Sequence, residues 1–160
     1  MEIYLSAPLF TQEQRRWNRL VARGLEKRIA GARVVLPQDY RVHSSFNKRT
    51  DFPHLFRSCV EGAREADLMV AVLDGPDVDS GTAFEMGIAY ERDIPIVGIR
   101  TDYRESQQKG VNLMISGACT VLLREMAFGE DVEQLLKDLA DKVVHALKRT
   151  GRRAPPGEET

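Results

Sequence analysis

The sequence predicts an α/β fold in which helices cover both faces of a parallel β-sheet. Three observations support this. Short apolar runs alternate along the chain with longer segments whose apolar residues recur every three or four positions. The run at 68–73, Leu-Met-Val-Ala-Val-Leu, contains no polar residue, as expected for a central strand covered on both faces. The length of 160 residues fits a single domain.

The elements follow one another in a regular order. A strand at 3–7 ends at Pro8, and the helix after it is capped by Thr11 and ends near Gly31. Its apolar residues form one stripe: Trp17, Leu20, Val21, Leu25 and Ile29. A short strand at 34–36 precedes Pro37, and after an irregular segment the next helix is expected over about 51–66, with Leu55, Cys59 and Val60 facing inward.

The second half continues the alternation. The central strand at 68–73 is followed by an acidic turn and by a helix over about 80–92. Two further strands are predicted at 95–99 and 119–123, separated by a polar loop. The last helix, about 132–148, completes a single domain over 1–149. Residues 150–160 are rich in Pro, Gly and charge and are expected to form a flexible tail.

These elements predict a flavodoxin-like three-layer sandwich with a five-stranded parallel sheet. Ligands of such sheets bind at the carboxyl ends of the strands, where the strand order reverses. In the flavodoxin-like order this point lies between the first and third strands. The functional site is therefore expected where the loops 6–10 and 74–81 meet.

Composition excludes several classes of function. The formal charge is −1, from 23 Lys+Arg and 24 Asp+Glu, which gives no basic surface for nucleic acid. No apolar run approaches the roughly 20 residues of a membrane span, and the N-terminus lacks the pattern of a signal peptide. Cys59 and Cys119 have no metal-ligand spacing and fit buried thiols in a reducing compartment. A cytoplasmic protein without membrane or nucleic-acid partners is expected.

Four acidic residues crowd the end of the central strand and the start of the next helix: Asp74, Asp77, Asp79 and Glu85. Two carboxyl groups with unequal pKa values are what glycosyl chemistry requires, one as nucleophile and one as proton donor. Helix capping is the competing interpretation, because Asp79 or Ser80 is a good N-cap and Thr82 with Glu85 fits a capping box. Spacing alone favours capping over catalysis, and metal binding less than either because no histidine is near.

A wider set of motifs resembles the nucleoside 2-deoxyribosyltransferases. It comprises ADLMVAVLDGPDVDSGTAFEMGIAY at 66–90, the opening IYLSAPLF and GVNLMISGA at 110–118, and the resemblance extends over residues 1 to about 123. It implies an enzyme that transfers 2-deoxyribose between nucleobases through a covalent glycosyl-enzyme, with no cofactor. Deoxynucleosides and free nucleobases are the small-molecule partners that it implies.

The resemblance also implies roles for individual residues. Glu85 corresponds to the nucleophile, Asp79 to the residue that holds a sugar hydroxyl, and Tyr4 to the residue that orients the nucleophile. Asn112 and Met114 correspond to residues that reach into the site of an adjacent subunit. A homo-oligomer with shared active sites is therefore implied.

One position departs from the family pattern. Many members have an Asp eight residues before the A-D that opens the central strand, where it protonates the leaving base, and this chain has Cys59 there. Asp74 or Asp77 could supply the proton instead, and Asp74 is the first choice because it directly follows the strand. Asp77, Phe10 and Gly81 complete the predicted substrate-binding set, with base stacking and simple packing equally favoured for Phe10.

Two other functions stay open at this point. An N-glycosidase that hydrolyses deoxynucleoside 5-monophosphates would need hydroxyl or cationic groups around the phosphate, and near the first strand only Ser6 offers itself. A non-catalytic nucleotide-binding module is the third possibility. The presence of Tyr4, Asp79, Glu85 and Asn112 together argues against it.

Overall fold

The computed structural model describes residues 1–40, 48–104, 111–126 and 131–149, apart from the side chains of 48–50. The strands are β1 (Glu2–Ser6), β2 (Arg33–Val35), β3 (Leu68–Val72), β4 (Ile96–Arg100) and β5 (Val121–Arg124). The helices are α1 (Gln12–Arg28), α2 (Lys48–Glu65), α3 (Ser80–Glu91), α4 (Leu113–Ala118) and α5 (Val132–Arg149). The predicted tail, 150–160, lies outside the described residues.

The five strands form one parallel sheet in the order β2-β1-β3-β4-β5. Ile3 lies opposite Leu68, and Val70 lies opposite Val97. The predicted α/β flavodoxin-like architecture is confirmed. So is the reversal of strand order between β1 and β3, which brings their following loops together at the carboxyl edge of the sheet.

Each face of the sheet has its own apolar core. Ile3 and Leu5 pack with α1 and α5 on one face, whereas Tyr4 packs with α2, α3 and α4 on the other. The division follows from strand geometry, because successive side chains point to opposite faces. Tyr4 and Ser6 are therefore directed to the same face, which is the one covered by α3.

The main difference from the prediction is α4. This helix has six residues, too few for an apolar repeat to be recognised in the sequence. Its start is fixed locally, because the Asn112 side-chain oxygen accepts a hydrogen bond from the Met114 backbone N–H at 2.8 Å. None of the helices in the described ranges is long and apolar enough to span a membrane.

Candidate active site

Glu85 lies in the second turn of α3 and faces the carboxyl end of β1. The Tyr4 hydroxyl donates a hydrogen bond to Oε1 of Glu85 at 2.9 Å, and the Ser6 hydroxyl donates to Oε2. Tyr4 and Ser6 are both fully buried. Since they are two positions apart on one strand, they meet the carboxylate from the same face of the sheet and fix both of its oxygens.

The surroundings of Glu85 shift its proton affinity in opposing ways. Burial raises the pKa of Glu85, the hydrogen bonds from Ser6 and Tyr4 lower it, and the charge of Asp79 raises it, with a net increase. Burial and the charge of Glu85 also raise the pKa of Tyr4, so the phenol stays protonated and can donate. The result is a poorly hydrated carboxylate in a fixed orientation, an arrangement suited to nucleophilic attack.

The structure assigns helix capping to Asp79. Its Oδ2 accepts a hydrogen bond from the Thr82 backbone N–H at 3.1 Å, which makes Asp79 the N-cap of α3. Glu85 is instead bound by the side chains of β1. A Cβ added at Gly81 would lie 3.1 Å from Asp79 Oδ2, so the glycine keeps space around that carboxylate.

Residues before and within α2 form a second wall beside Tyr4. A Cβ added at Gly62 would lie 2.4 Å from the Tyr40 hydroxyl and 2.7 Å from Cε2 of Tyr4, so only glycine permits this approach. Burial, followed by the nearby Cys59 and Glu85, raises the pKa of Tyr40 to about 12. Burial and then Glu85 raise the pKa of the Cys59 thiol, which stays protonated at neutral pH.

Asp74 is placed away from this cluster. Its Oδ1 accepts hydrogen bonds from the backbone N–H groups of Thr101 at 2.6 Å and Asp102 at 2.8 Å, and its Oδ2 accepts from the Thr101 hydroxyl at 2.8 Å. It lines a crevice of about 740 Å³ on the α1 side, together with Pro8 and Asn18. The structure therefore brings Tyr4, Ser6, Asp79 and Glu85 together and places Asp74 on the other side of the sheet edge.

The remaining predicted residues are exposed. Asp77 accepts a hydrogen bond from the Val78 N–H at 2.9 Å. Phe10 is 77% exposed, and Met114 is 79% exposed beside the capping residue Asn112. Within the described ranges, no group of three or more His, Cys, Asp or Glu residues is arranged to hold a metal ion.

The sequence suggests Ser6 only as a partner for a phosphate. In the structure its hydroxyl binds the Glu85 carboxylate instead. Strand alternation carries the signal that was available, because Ser6 shares a face with Tyr4. The alternation does not reveal that α3 covers this face, because that depends on how α3 packs on the sheet.

Comparison with known proteins gives a consistent result. The sequence matches the family model of nucleoside 2-deoxyribosyltransferase over residues 3–114. The structure is similar to a conserved protein from Enterococcus faecalis V583, with 26% identity and a TM-score of 0.68, over 89% of this chain and 98% of that one. It is also similar to the 2-deoxyribosyltransferase from Bacillus psychrosaccharolyticus, with 25% identity and a TM-score of 0.60, over 88% and 91% of the two chains.

The CMP N-glycosidase from Clostridium botulinum shares the fold, with 21% identity and a TM-score of 0.57, over 89% of this chain and 99% of that one. A comparison with curated proteins gives no significant match.

Proposed function

Since the chain belongs to the nucleoside 2-deoxyribosyltransferase family, we propose that it transfers 2-deoxyribose from one nucleobase to another through a covalent intermediate on Glu85. The observation that carries this proposal is the carboxylate of Glu85, held on both oxygens by Tyr4 and Ser6. It lies at the carboxyl edge of the sheet, at the reversal of strand order, where parallel sheets bind their ligands.

The proposed reaction has two halves. A Glu85 oxygen attacks the anomeric carbon of the deoxynucleoside, the bond from that carbon to the base nitrogen breaks, and the departing base takes up a proton. A second base then attacks the same carbon through a ring nitrogen, gives up one proton and releases Glu85, so the new nucleoside retains the original configuration. The missing 2-hydroxyl makes the oxocarbenium-like transition state easier to reach, and Glu85 stabilises its positive charge.

The acidic turn and its neighbours would bind the substrate. We assign Asp79 to a sugar hydroxyl, because its carboxylate lies at the start of the helix that carries Glu85 and Gly81 leaves space around it. Asp77 and Gly81 would line the same side of the proposed sugar site as Asp79. The exposed ring of Phe10, which follows β1, is available to stack on a base.

The proton donor to the leaving base stays a prediction. The sequence favours Asp74, whose carboxylate already accepts three hydrogen bonds on the α1 side. Replacement by Asn tests the role. A proton donor would affect deoxynucleosides with poorly leaving bases most, whereas a holding role would slow all bases alike.

We further propose that Asn112 and Met114 complete the site of a neighbouring subunit. The supporting observation is an exposed apolar surface on the helices that flank Glu85. Phe56 of α2 and Phe84 of α3 lie with ring centroids 6.1 Å apart and are 58% and 55% exposed, and Leu113 and Met114 of α4 are exposed as well. A surface of this kind is typical of a contact with another chain, here a second copy.

The proposal is tested by incubating the protein with deoxyinosine and free adenine and separating the products by chromatography. Formation of deoxyadenosine supports transfer. Free deoxyribose alone would indicate hydrolysis, and no turnover would leave a binding module. Ser6 bears on the hydrolase alternative: its hydroxyl is fully buried and bound to Glu85, so it is not open to a phosphate.

Replacing Glu85 by Ala should reduce transfer by several orders of magnitude, because the attacking atom is removed. Glu91 offers a matched control, since it is an exposed acidic residue at the end of the same helix. We expect Glu91→Ala to retain the activity. A nearly normal rate in Glu85→Ala would exclude the covalent role.

A further inference from the structure

Arg100 is a buried cation at the carboxyl end of β4. Its side chain is 3% exposed. Nη1 donates to the carbonyl oxygens of Leu73 at 2.5 Å and Gly75 at 3.2 Å, and Nη2 donates to those of Gly75 at 3.2 Å and Arg104 at 3.0 Å. One guanidinium thus holds the end of β3 and the turn that follows it.

Two carboxylates add further bonds between the same two segments, and each accepts from at least one backbone N–H group of the other segment. Asp74 accepts from the backbone N–H groups of Thr101 and Asp102, and Asp102 Oδ2 accepts from the Gly75 N–H at 3.1 Å. The hydrogen-bonded Arg104 holds the pKa of Asp102 well below its usual range, so this acceptor is ionised. We call the two segments joined in this way, 73–75 and 100–102, the β3–β4 clamp.

The clamped segment leads directly to Asp79. Gly75 has φ +122°, a conformation that L side chains rarely adopt, and a Cβ there would lie 3.0 Å from the Asp77 carbonyl oxygen. Asp77 in turn accepts from the Val78 N–H, and Asp79 caps α3. Gly75 and Asp77 therefore lie close together in the turn, and the clamp fixes where the turn leaves the sheet.

Arg100 binds the backbone at the end of β3 more closely than it binds any acid in the described ranges. Removing a guanidinium from water is costly, so the carbonyl oxygens must be well placed to compensate it. Asp102 lies 4.0 Å from Arg100 and is bound more closely by Arg104, so the contacts of Arg100 within 3.2 Å are to carbonyl oxygens. What these bonds provide is the geometry of the turn after β3.

We infer that Arg100 is a positioning residue, whose clamp on the turn after β3 sets Asp79 against the sugar of the substrate. The inference rests on the proposed function, because it takes the sugar-binding role of Asp79 from there. In this inference Arg100 does not contact the substrate. It positions Gly75, and the turn that follows Gly75 positions Asp79.

A double-mutant cycle tests this route. We expect Arg100→Met to lower kcat/KM by about tenfold or more, in line with the loss of hydrogen bonds to a charged group. In an Asp79→Ala background the same change should cost much less, because the residue that Arg100 positions is already absent. Losses that simply multiply would overturn the inference.

Hydrogen exchange tests the same inference independently of any activity. Amide exchange within 75–79, where Pro76 has no N–H, should become faster in Arg100→Met, whereas exchange in the β1 core should not change. Unchanged exchange at 75–79 would overturn the inference, even if the protein is an active transferase. If the wild-type protein forms no new deoxynucleoside, the proposed function fails, and faster exchange still shows that Arg100 holds the turn.

Arg124 provides a matched control. It lies opposite Arg100 in the register between β4 and β5 but is exposed. Arg124→Met should leave both kcat/KM and the exchange of 75–79 at wild-type values. If Arg100→Met does not fold, Arg100→Lys replaces it in both experiments, since lysine keeps the charge but cannot reach the three carbonyl oxygens at once.

Discussion

The four acids that follow β3 have separate hydrogen-bond donors. Thr101 and Asp102 donate to Asp74, and Val78 donates to Asp77. Thr82 donates to Asp79, and Tyr4 and Ser6 donate to Glu85. The four carboxylates are close in the sequence, but the turn and the helix direct them to different sides of the sheet edge. Asp77 and Asp79 accept from backbone N–H groups, and Asp74 accepts from two backbone N–H groups and one hydroxyl. Of these four acids, only Glu85 has both of its oxygens bound by side-chain hydroxyl groups.

The raised pKa of Glu85 predicts the pH dependence of activity. The nucleophile must be ionised, so kcat/KM should fall as the pH drops through this pKa, which lies above its ordinary value of 4.5. The Ser6 hydrogen bond lowers the pKa of Glu85, and Ser6→Ala should therefore move the acidic limb to higher pH. A pH profile of kcat/KM for both proteins measures the shift. A limb that moves to lower pH would contradict the assignment.

Gly62 should be intolerant of a side chain. The added methyl group of Gly62→Ala would collide with the Tyr40 hydroxyl and the Tyr4 ring, and displacing Tyr4 would loosen its bond to Glu85. We expect a loss of activity of about tenfold or more.

Gly87 is the comparison, because a Cβ there meets nothing within 4 Å and the residue is exposed on α3. Gly87→Ala should be as active as wild type and slightly more stable, since alanine favours a helix. Equal rates for the two alanine variants would show that Tyr4 does not need its present position.

At the scale of the elements, α3 carries both an observed helix cap and the proposed nucleophile. Asp79 caps the helix, and the same carboxylate is proposed to bind a sugar hydroxyl. Asp79→Asn keeps a good N-cap, so its stability should be nearly normal while its kcat/KM falls. Asp79→Ala should lose the cap as well, at a cost of about 1 kcal/mol in the free energy of unfolding.

Thermal or denaturant unfolding of the two Asp79 variants, together with their kinetics, separates the two roles. If Asp79→Asn keeps full activity, the residue is only a helix cap. If Asp79→Ala unfolds as easily as wild type, the cap contributes little. The two measurements therefore show whether helix capping or sugar binding requires an aspartate at this position.

At the scale of the whole molecule, the proposed sharing of sites predicts complementation. Glu85→Ala and Asn112→Ala should each be nearly inactive alone. Mixing them under conditions that exchange subunits should restore some activity, because hybrid assemblies contain sites with both residues intact. The measurement is the transfer assay on the mixture, with native mass spectrometry to show exchange. No recovery despite proven exchange would contradict shared sites.

Much of the fold follows from local sequence patterns. The uninterrupted apolar run of β3 and the three-to-four spacing in α1 and α5 identify buried strands and amphipathic helices, because burial imposes those periods. The strand order follows less directly, from the preference of alternating strands and helices for one class of parallel sheet. The six-residue α4 has no recognisable apolar repeat in the sequence because it spans less than two turns.

The candidate site likewise combines features that local patterns predict with features that depend on packing. Sequence patterns alone predict the α/β sandwich, the edge of the sheet where a ligand is expected, and the acids among which the nucleophile is proposed, because these depend on periodicity and motif. Three features emerge from the packing of the elements: Ser6 shares the binding of Glu85 with Tyr4, Asp74 faces the α1 side, and Arg100 is buried against Gly75. Hydrogen bonds between residues far apart in the chain depend on how β1, α3 and β4 pack together, and no local pattern encodes that packing.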